Sequence, residues 1–244
     1  MKRPFAIQLM FGVALIVTGC GAPAEKQAGP QAATDGWVAG PQVDQVSRAA
    51  GIIRVSGTAA PFGRVVLTGP DGVAYAAGAD ETGHFDIRLP APRTDALLAV
   101  EAQVGQIAYP APGRLLVSAD PGGPVALLGI GAPTRRLDGT GALDAVDADG
   151  RAGFLSGRAT ANTDVTIVRN GVSLTAASDP QGRWTLAIGG DVGAPIQIGD
   201  RAFVPPAMTE ATSGSLVRAG QGWRIGWISP DGARQVTWLP DRSQ

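Results

Sequence analysis

An internal repeat of about 100 residues limits the folds open to this chain more than any other feature of its sequence. Residues of like type recur at an offset that is 99 or 100 at most positions and stays between 94 and 101. The matched pairs are Gly57 and Gly157, Val65 and Val165, Asp80 and Asp179, Gly83 and Gly182, Phe85 and Trp184, Val104 and Ile198, and Leu116 and Val217. Two homologous units of about 95 residues therefore fit the chain better than one large domain.

Within each unit the residue pattern is that of short strands joined by tight turns. Phe85, Ile87 and Leu89 alternate with polar residues, which places them on one face of a strand. The dipeptides Asp71-Gly72 and Asn170-Gly171 favour hairpin turns because they tolerate positive φ. The 35 glycines and 19 prolines follow no collagen-like period, so they are interpreted as turn residues. This pattern predicts an all-β chain of two sandwiches.

The same residues carry a family resemblance. The segments Ser56–Leu67 and Asp80–Phe85, with their counterparts Ser156–Ile167 and Asp179–Trp184, resemble the bacterial immunoglobulin-like domains found in tandem in surface and secreted proteins. The resemblance implies two immunoglobulin-like β-sandwich modules, residues 51–145 and 150–244, which in such proteins are spacers, stalks or adhesive platforms. Some relatives form a Lys–Asn isopeptide bond, but no lysine follows Lys26.

The N-terminus has the organisation of an export signal. Lys2 and Arg3 precede an apolar stretch, Phe5–Val17, which is too short to span a bilayer comfortably. The following Val17-Thr18-Gly19-Cys20 resembles the lipobox of bacterial lipoproteins, in which the cysteine receives lipid and becomes the first residue of the mature chain. Residues 1–19 are therefore predicted to be a lipoprotein signal peptide, and Cys20 a lipidated membrane anchor.

The residue after the cysteine bears on localisation, and the segment that follows is typical of a tether. In Gram-negative lipoproteins an Asp after the cysteine retains the protein in the inner membrane, so Gly21 implies the outer membrane. Residues 20–50 are predicted to form the lipidated cysteine and a tether, because the first part is rich in Ala, Pro, Gln and Gly. Val43, Val46 and Ala50 recur at helical spacing, which favours a short helix between Pro41 and Ala50.

Three tryptophans near the C-terminus are candidate ligand-binding residues. Trp223, Ile225 and Trp227 are expected on one face of a strand, and Ser229–Gly232 is expected to turn the chain toward Trp238. Exposed tryptophans stack on sugar rings or dock a partner, whereas buried ones fill a core. The aliphatic residues at the comparable stretch of the first unit favour the core interpretation.

Two other groups of residues suggest chemistry and have simpler explanations. His84 is the only histidine, but its counterpart is Arg183, which favours an outward-facing strand residue. Asp144, Asp147 and Asp149 lie between the units, where acidic loops can hold calcium. The spacing of an EF-hand is not met, so a solvated acidic linker is favoured over a weak calcium site. No catalytic residues, metal ligands or cofactors are predicted.

These features together favour a non-enzymatic lipoprotein of the cell envelope that acts as a scaffold or protein-interaction element. Its partners would be the membrane, through the lipid, and an envelope protein or glycan. A carbohydrate-binding lipoprotein that uses exposed C-terminal tryptophans for peptidoglycan or polysaccharide is the alternative. The net charge of -1 and the absence of basic runs argue against nucleic acid.

Overall fold

The computed structural model describes residues 39–139, 141–150, 152–208, 213–230 and 232–242. Every regular element in these ranges is a β-strand, which confirms the predicted all-β fold class. The twenty strands in the described ranges are, in chain order, β1 (Gln42–Ala49), β2 (Ile52–Thr58), β3 (Arg64–Thr68), β4 (Ala74–Gly78), β5 (His84–Pro90), β6 (Ala96–Val104), β7 (Ile107–Pro110), β8 (Gly113–Val117), β9 (Val125–Gly129), β10 (Arg135–Arg136), β11 (Ala145–Ala148), β12 (Ala152–Arg158), β13 (Asp164–Arg169), β14 (Val172–Ala177), β15 (Arg183–Gly189), β16 (Ile196–Ile198), β17 (Arg201–Phe203), β18 (Leu216–Arg218), β19 (Gly222–Ile228) and β20 (Arg234–Pro240).

Two antiparallel sheets form the first sandwich. One sheet has the strand order β1-β2-β5, and the other has the order β10-β9-β8-β6-β3-β4 with β7 paired to β6. The predicted alternation in β5 is confirmed, because Phe85, Ile87 and Leu89 all point into the core between these sheets. From the facing sheet, Leu67 and Leu115 enter the same core, and both are completely buried. Apolar residues at every second position thus hold the two layers together without a disulfide.

The second sandwich repeats this construction from two further antiparallel sheets. Their strand orders are β15-β12-β11-β20-β19-β18 and β14-β13-β16-β17. Leu155 and Trp184 from the larger sheet meet Ile167 and Ile196 from the smaller one in the core between them. Trp184 therefore occupies the place that Phe85 has in the first sandwich, as the repeat predicts.

One glycine in each sandwich explains why the repeat preserves that residue. A Cβ atom at Gly57 would lie 1.9 Å from the carbonyl oxygen of Gln42 and 2.9 Å from the ring of Phe85. A Cβ at Gly157 would lie 2.1 Å from the carbonyl oxygen of Ala142 and 2.6 Å from the ring of Trp184. In both sandwiches the core aromatic packs over a strand position that has room only for hydrogen.

The loop before each core aromatic is also built twice in the same way. The Asp80 carboxylate accepts hydrogen bonds from the backbone N–H groups of Thr82 and His84. The bond that the Thr82 hydroxyl donates, together with these backbone bonds, lowers the pKa of Asp80. The Asp179 carboxylate accepts the equivalent backbone bonds from Gln181 and Arg183. The loops are therefore fixed by the same short-range bonds.

The sandwiches differ in which sheet carries their last strands. In the first, the N-terminal half of β6 pairs with β8, which joins β8, β9 and β10 to the sheet of β3 and β4. In the second, the comparable backbone turns at Gly190, with φ of 74°, so β16 begins only at Ile196. The strands β18, β19 and β20 instead join the other sheet through the pairing of β20 with β11.

The predicted helix between Pro41 and Ala50 is wrong. Residues 42–49 form β1, which pairs with β2 in the first sandwich. The register shifts between Val43 and Gln45, so a β-bulge inserts one residue into the strand. The bulge lets Val43 and Val46 both face the core although they are three residues apart, and this spacing imitates a helix.

Candidate functional site

A third apolar core joins the two sandwiches. It lies between β8 and β9 of the first sandwich and β11, β18, β19 and β20 of the second. The exchange of the last strands between sheets makes this core, because it turns one face of β19 and β20 away from the second sandwich's interior and toward the first. The buried members of the third core are Leu116, Ala126, Leu128, Ala145, Leu216, Ile225, Trp227 and Leu239.

A buried carboxylate fixes the contact at the edge of the third core. Asp147 lies on β11 and is 5% exposed. Its carboxylate accepts a bond of 2.8 Å from the backbone N–H of Thr134 and one of 2.7 Å from the Thr134 hydroxyl. The Thr237 hydroxyl, on the neighbouring strand β20, donates a third bond of 2.7 Å. Burial raises the pKa of Asp147, and the three donors oppose that rise.

Thr134 is hydrogen-bonded to two neighbouring strands of the second sandwich, β11 and β12. It precedes β10 in the first sandwich and is 1% exposed. Its carbonyl oxygen accepts a bond of 2.6 Å from the hydroxyl of Ser156 on β12, while its N–H and hydroxyl bind Asp147. The N–H, hydroxyl and carbonyl groups of Thr134 are therefore all hydrogen-bonded to residues of the second sandwich.

A second polar contact ties the C-terminal strand to the first sandwich. Arg136, on β10, forms a bidentate pair with Asp138, with N–O distances of 2.9 and 3.0 Å. The same guanidinium donates to the carbonyl oxygen of Pro240 at the end of β20. Arg242 approaches the same Asp138 carboxylate at 3.5 Å. Because the Arg136 and Asp138 side chains are 5% and 6% exposed, this bridge is shielded from solvent.

Asp144 adds a titrating group to the junction. It is 4% exposed and lies 3.5 Å from the guanidinium of Arg158. Burial raises the pKa of Asp144 to about 6, against the opposing effect of Arg158 and Arg136. The Arg158 side chain also donates to the carbonyl oxygen of Arg136, so the pair belongs to the same network.

The prediction of a solvated acidic linker is wrong for two of its three aspartates. Asp144 and Asp147 are buried at the junction of the sandwiches, and only Asp149 is exposed, in the turn after β11. The Asp149 carboxylate accepts a bond from the N–H of Ala152. Within the described residues, no group of three or more His, Cys, Asp or Glu side chains is placed to hold a metal ion.

The structure separates the three predicted tryptophans between two cores. Trp227 and Trp238 are each 1% exposed, Trp227 in the third core and Trp238 in the core of the second sandwich. Trp223 is partly buried against the third core, and the guanidinium of Arg218 lies 4.9 Å from its ring centroid. Trp223, Ile225 and Trp227 do share one strand face, but this face is covered by the first sandwich. Trp227 and Trp238 therefore offer no ring face to a sugar.

His84 is exposed at the start of β5, as expected from its counterpart Arg183. The lipidation candidate Cys20 lies outside the described residues, as do the predicted signal peptide and most of the tether. In the part of the chain that the structure describes, no helix has the length and apolar character needed to cross a bilayer.

The sequence interpretation missed Thr134, Arg136 and Thr237, although all three are central to the junction. One signal was present. Thr237 is the one polar residue in the buried part of β20, where Val236, Trp238, Leu239 and Pro240 are apolar. A polar residue inside such a strand indicates a buried partner, but the partner Asp147 is 90 residues away.

Comparisons with known proteins assign no family to this chain. No family model matches it, and no curated protein matches it. A solved structure of a Ca²⁺-stabilized adhesin, which helps an Antarctic bacterium reach out and bind ice, is similar over 84% of this chain at 15% sequence identity and a TM-score of 0.25. The chain spans about half of that structure, 48% of its length.

Proposed function

We propose that this chain is a lipid-anchored protein of the cell envelope, in which two immunoglobulin-like sandwiches act as one rigid interaction element without catalysing a reaction. The single observation that carries the rigid interaction element is the third core with its buried Asp147–Thr134 contact, and the lipobox resemblance at Cys20 supports the anchor. A stalk of independent modules needs no such core, whereas an element that presents surfaces at a fixed angle does. Fixed geometry lowers the entropy lost when a partner binds both modules at once.

The polar groups of the junction support a structural role rather than catalysis. Asp147 and Ser156 each bond to Thr134, and all three residues are 5% exposed or less. A catalytic acid or nucleophile has to reach a substrate atom within hydrogen-bond distance. These side chains are already bonded and enclosed between the sandwiches, so they stabilise the junction.

The anchor is tested by the chemistry of Cys20. The full chain, expressed in a Gram-negative host, is expected to carry acyl chains on Cys20, detected by mass spectrometry of the N-terminal peptide. A Cys20→Ser variant should lack them and leave the membrane fraction. Gly21→Asp, by the sorting rule that the lipobox resemblance implies, should shift the protein from the outer to the inner membrane fraction. An unmodified Cys20 would overturn the anchor.

The interaction role is tested separately by recovery of partners with the lipidated protein. Purified envelope proteins and peptidoglycan sacculi are each incubated with the wild type and with Asp147→Ala, whose junction is loosened. The proposal is supported if a specific envelope protein is retained by the wild type and a smaller amount of it is retained by Asp147→Ala. Retention on sacculi instead would favour the carbohydrate-binding alternative, with Trp223→Ala as its check. Turnover of a substrate would contradict the non-enzymatic role.

A further inference from the structure

An exposed apolar patch, the tip patch, lies at one end of the first sandwich. It consists of Phe62, Val104 and Ile107, which are 79%, 36% and 58% exposed. Val104 and Ile107 face each other across the turn between β6 and β7. A Cβ at Gly63, next to Phe62, would lie 3.7 Å from a methyl carbon of Val104, so the two loops meet.

The second sandwich has the same loops without the apolar residues. Asn162 occupies the position of Phe62, with φ of 55° against 60° and the same backbone bond to the following acidic loop. The β16–β17 turn pairs Ile198 with Arg201, so Arg201 stands where Ile107 stands. Asparagine tolerates a left-handed backbone, whereas phenylalanine is disfavoured there. The fold therefore does not require apolar residues at this end.

The polypeptide enters the first sandwich at the end that carries the tip patch. The first residue of β1, Gln42, pairs with Thr58, which leads into the loop of Phe62. Gly40, two residues before β1, lies against the end of β7, since a Cβ at this glycine would be 1.9 Å from the carbonyl oxygen of Pro110. The segment that joins the sandwich to Cys20 thus leaves from the neighbourhood of the patch.

We infer that the tip patch contacts the lipid bilayer to which Cys20 is anchored. This inference rests on the proposed lipid anchor. A flexible chain as long as residues 21–38, which are 18 residues, has a root-mean-square end-to-end distance of about 25 Å, so such a chain keeps the tip within reach of the lipid. Exposed aromatic and aliphatic side chains at that distance gain free energy by entering the interfacial region. The sandwich then stands on the membrane with its first module nearest to the lipid.

The charges around the patch determine which lipids it prefers. Asp80 and Glu81 are exposed, and the carbonyl oxygen of Asp80 accepts the bond from the N–H of Phe62. These two carboxylates are repelled by anionic lipid, and the exposed guanidinium of Arg64 beside them, which donates to Gln103, offsets only part of their charge. Contact is therefore apolar in origin, and neither anionic lipid nor low salt should strengthen it.

The test uses the full lipidated chain in vesicles of phosphatidylcholine and phosphatidylethanolamine. Because acylation occupies Cys20, a single introduced cysteine is the only free thiol. A polarity-sensitive fluorophore is placed at Gln106→Cys, in the turn of the tip patch, or at Val73→Cys, at the opposite end of the same sandwich. We expect a blue shift and quenching by nitroxide lipids for the label at position 106, and neither effect for the label at position 73.

A double variant, Phe62→Asn with Ile107→Arg, gives this end the residues of the second sandwich and is expected to fold. In the Gln106→Cys background it should abolish the blue shift and the quenching. Equal signals from positions 106 and 73 on an acylated chain would overturn the inference and leave the anchor intact. A chain without acyl groups would overturn the anchor and the inference together. Dimerisation that depends on Phe62 would assign the patch to a second copy instead.

Discussion

The carboxylate of Asp147, on the strand that opens the second sandwich, accepts hydrogen bonds from both the backbone N–H and the hydroxyl of Thr134 at the edge of the first. Both residues are buried, at 5% and 1% exposure, so water does not compete for these bonds. The pair lies beside an apolar core that neither sandwich closes alone. A contact of this kind holds two modules at one angle.

Replacing Asp147 with alanine is expected to lower the free energy of unfolding by about 3 kcal/mol, because three buried donors lose their acceptor. Urea unfolding followed by tryptophan fluorescence measures the change. Asp44→Ala is the control, since Asp44 is exposed on β1 and its loss should cost less than about 0.5 kcal/mol. An equal loss of unfolding free energy in the two variants would show that the buried carboxylate of Asp147 stabilises the fold no more than an exposed one.

Stability is expected to depend on pH through Asp144. Burial raises the pKa of Asp144 to about 6 in the folded chain, from an ordinary value of 3.8. Between these values the folded state binds the proton more strongly than the unfolded state, so the contribution of Asp144 to stability increases as pH falls from 6 toward 4. Asp144→Asn should remove about 2 kcal/mol of the increase in the free energy of unfolding between pH 6 and pH 4. A profile that is identical in wild type and variant would contradict the raised pKa.

Two glycines of the second sandwich should respond very differently to the same substitution. Gly157→Ala places a methyl group 2.1 Å from the Ala142 carbonyl oxygen and against Trp184, and we expect a loss of about 3 kcal/mol or failure to fold. Gly189→Ala meets no atom within 4 Å and has no positive φ, so its effect should stay within about 0.5 kcal/mol. Thermal unfolding followed by circular dichroism separates these outcomes.

Exchanging the residues at the left-handed loop position should have opposite effects in the two sandwiches. Phe62→Asn relieves an unfavourable backbone and exposes no core, so a gain of about 0.5 to 1 kcal/mol is expected. Asn162→Phe should lose a similar amount. Both are measured by urea unfolding in a chain that starts at Gly21. A loss of stability in Phe62→Asn would mean that the Phe62 ring packs against the fold.

The strands of the sandwiches could be predicted from the repeat, because in both units the core aromatic, Phe85 or its counterpart, packs over the repeated position of Gly57 or its counterpart. The face shared by Trp223, Ile225 and Trp227 also followed from strand alternation. What covers that face did not follow, because the covering strands lie about 100 residues earlier in the chain. The acidic junction was misinterpreted for the same reason, since the donors to Asp147 are distant in sequence.

The measurement that tests the account most directly is the distance between the sandwiches. A chain starting at Gly21 contains no cysteine, so spin labels can be placed at Val73→Cys in the first sandwich and Val172→Cys in the second, both on exposed side chains. Pulsed electron spin resonance is predicted to give one narrow distance distribution, which broadens when Asp147→Ala is added. A broad distribution in the chain that retains Asp147 would contradict the claim that the two sandwiches are one rigid element.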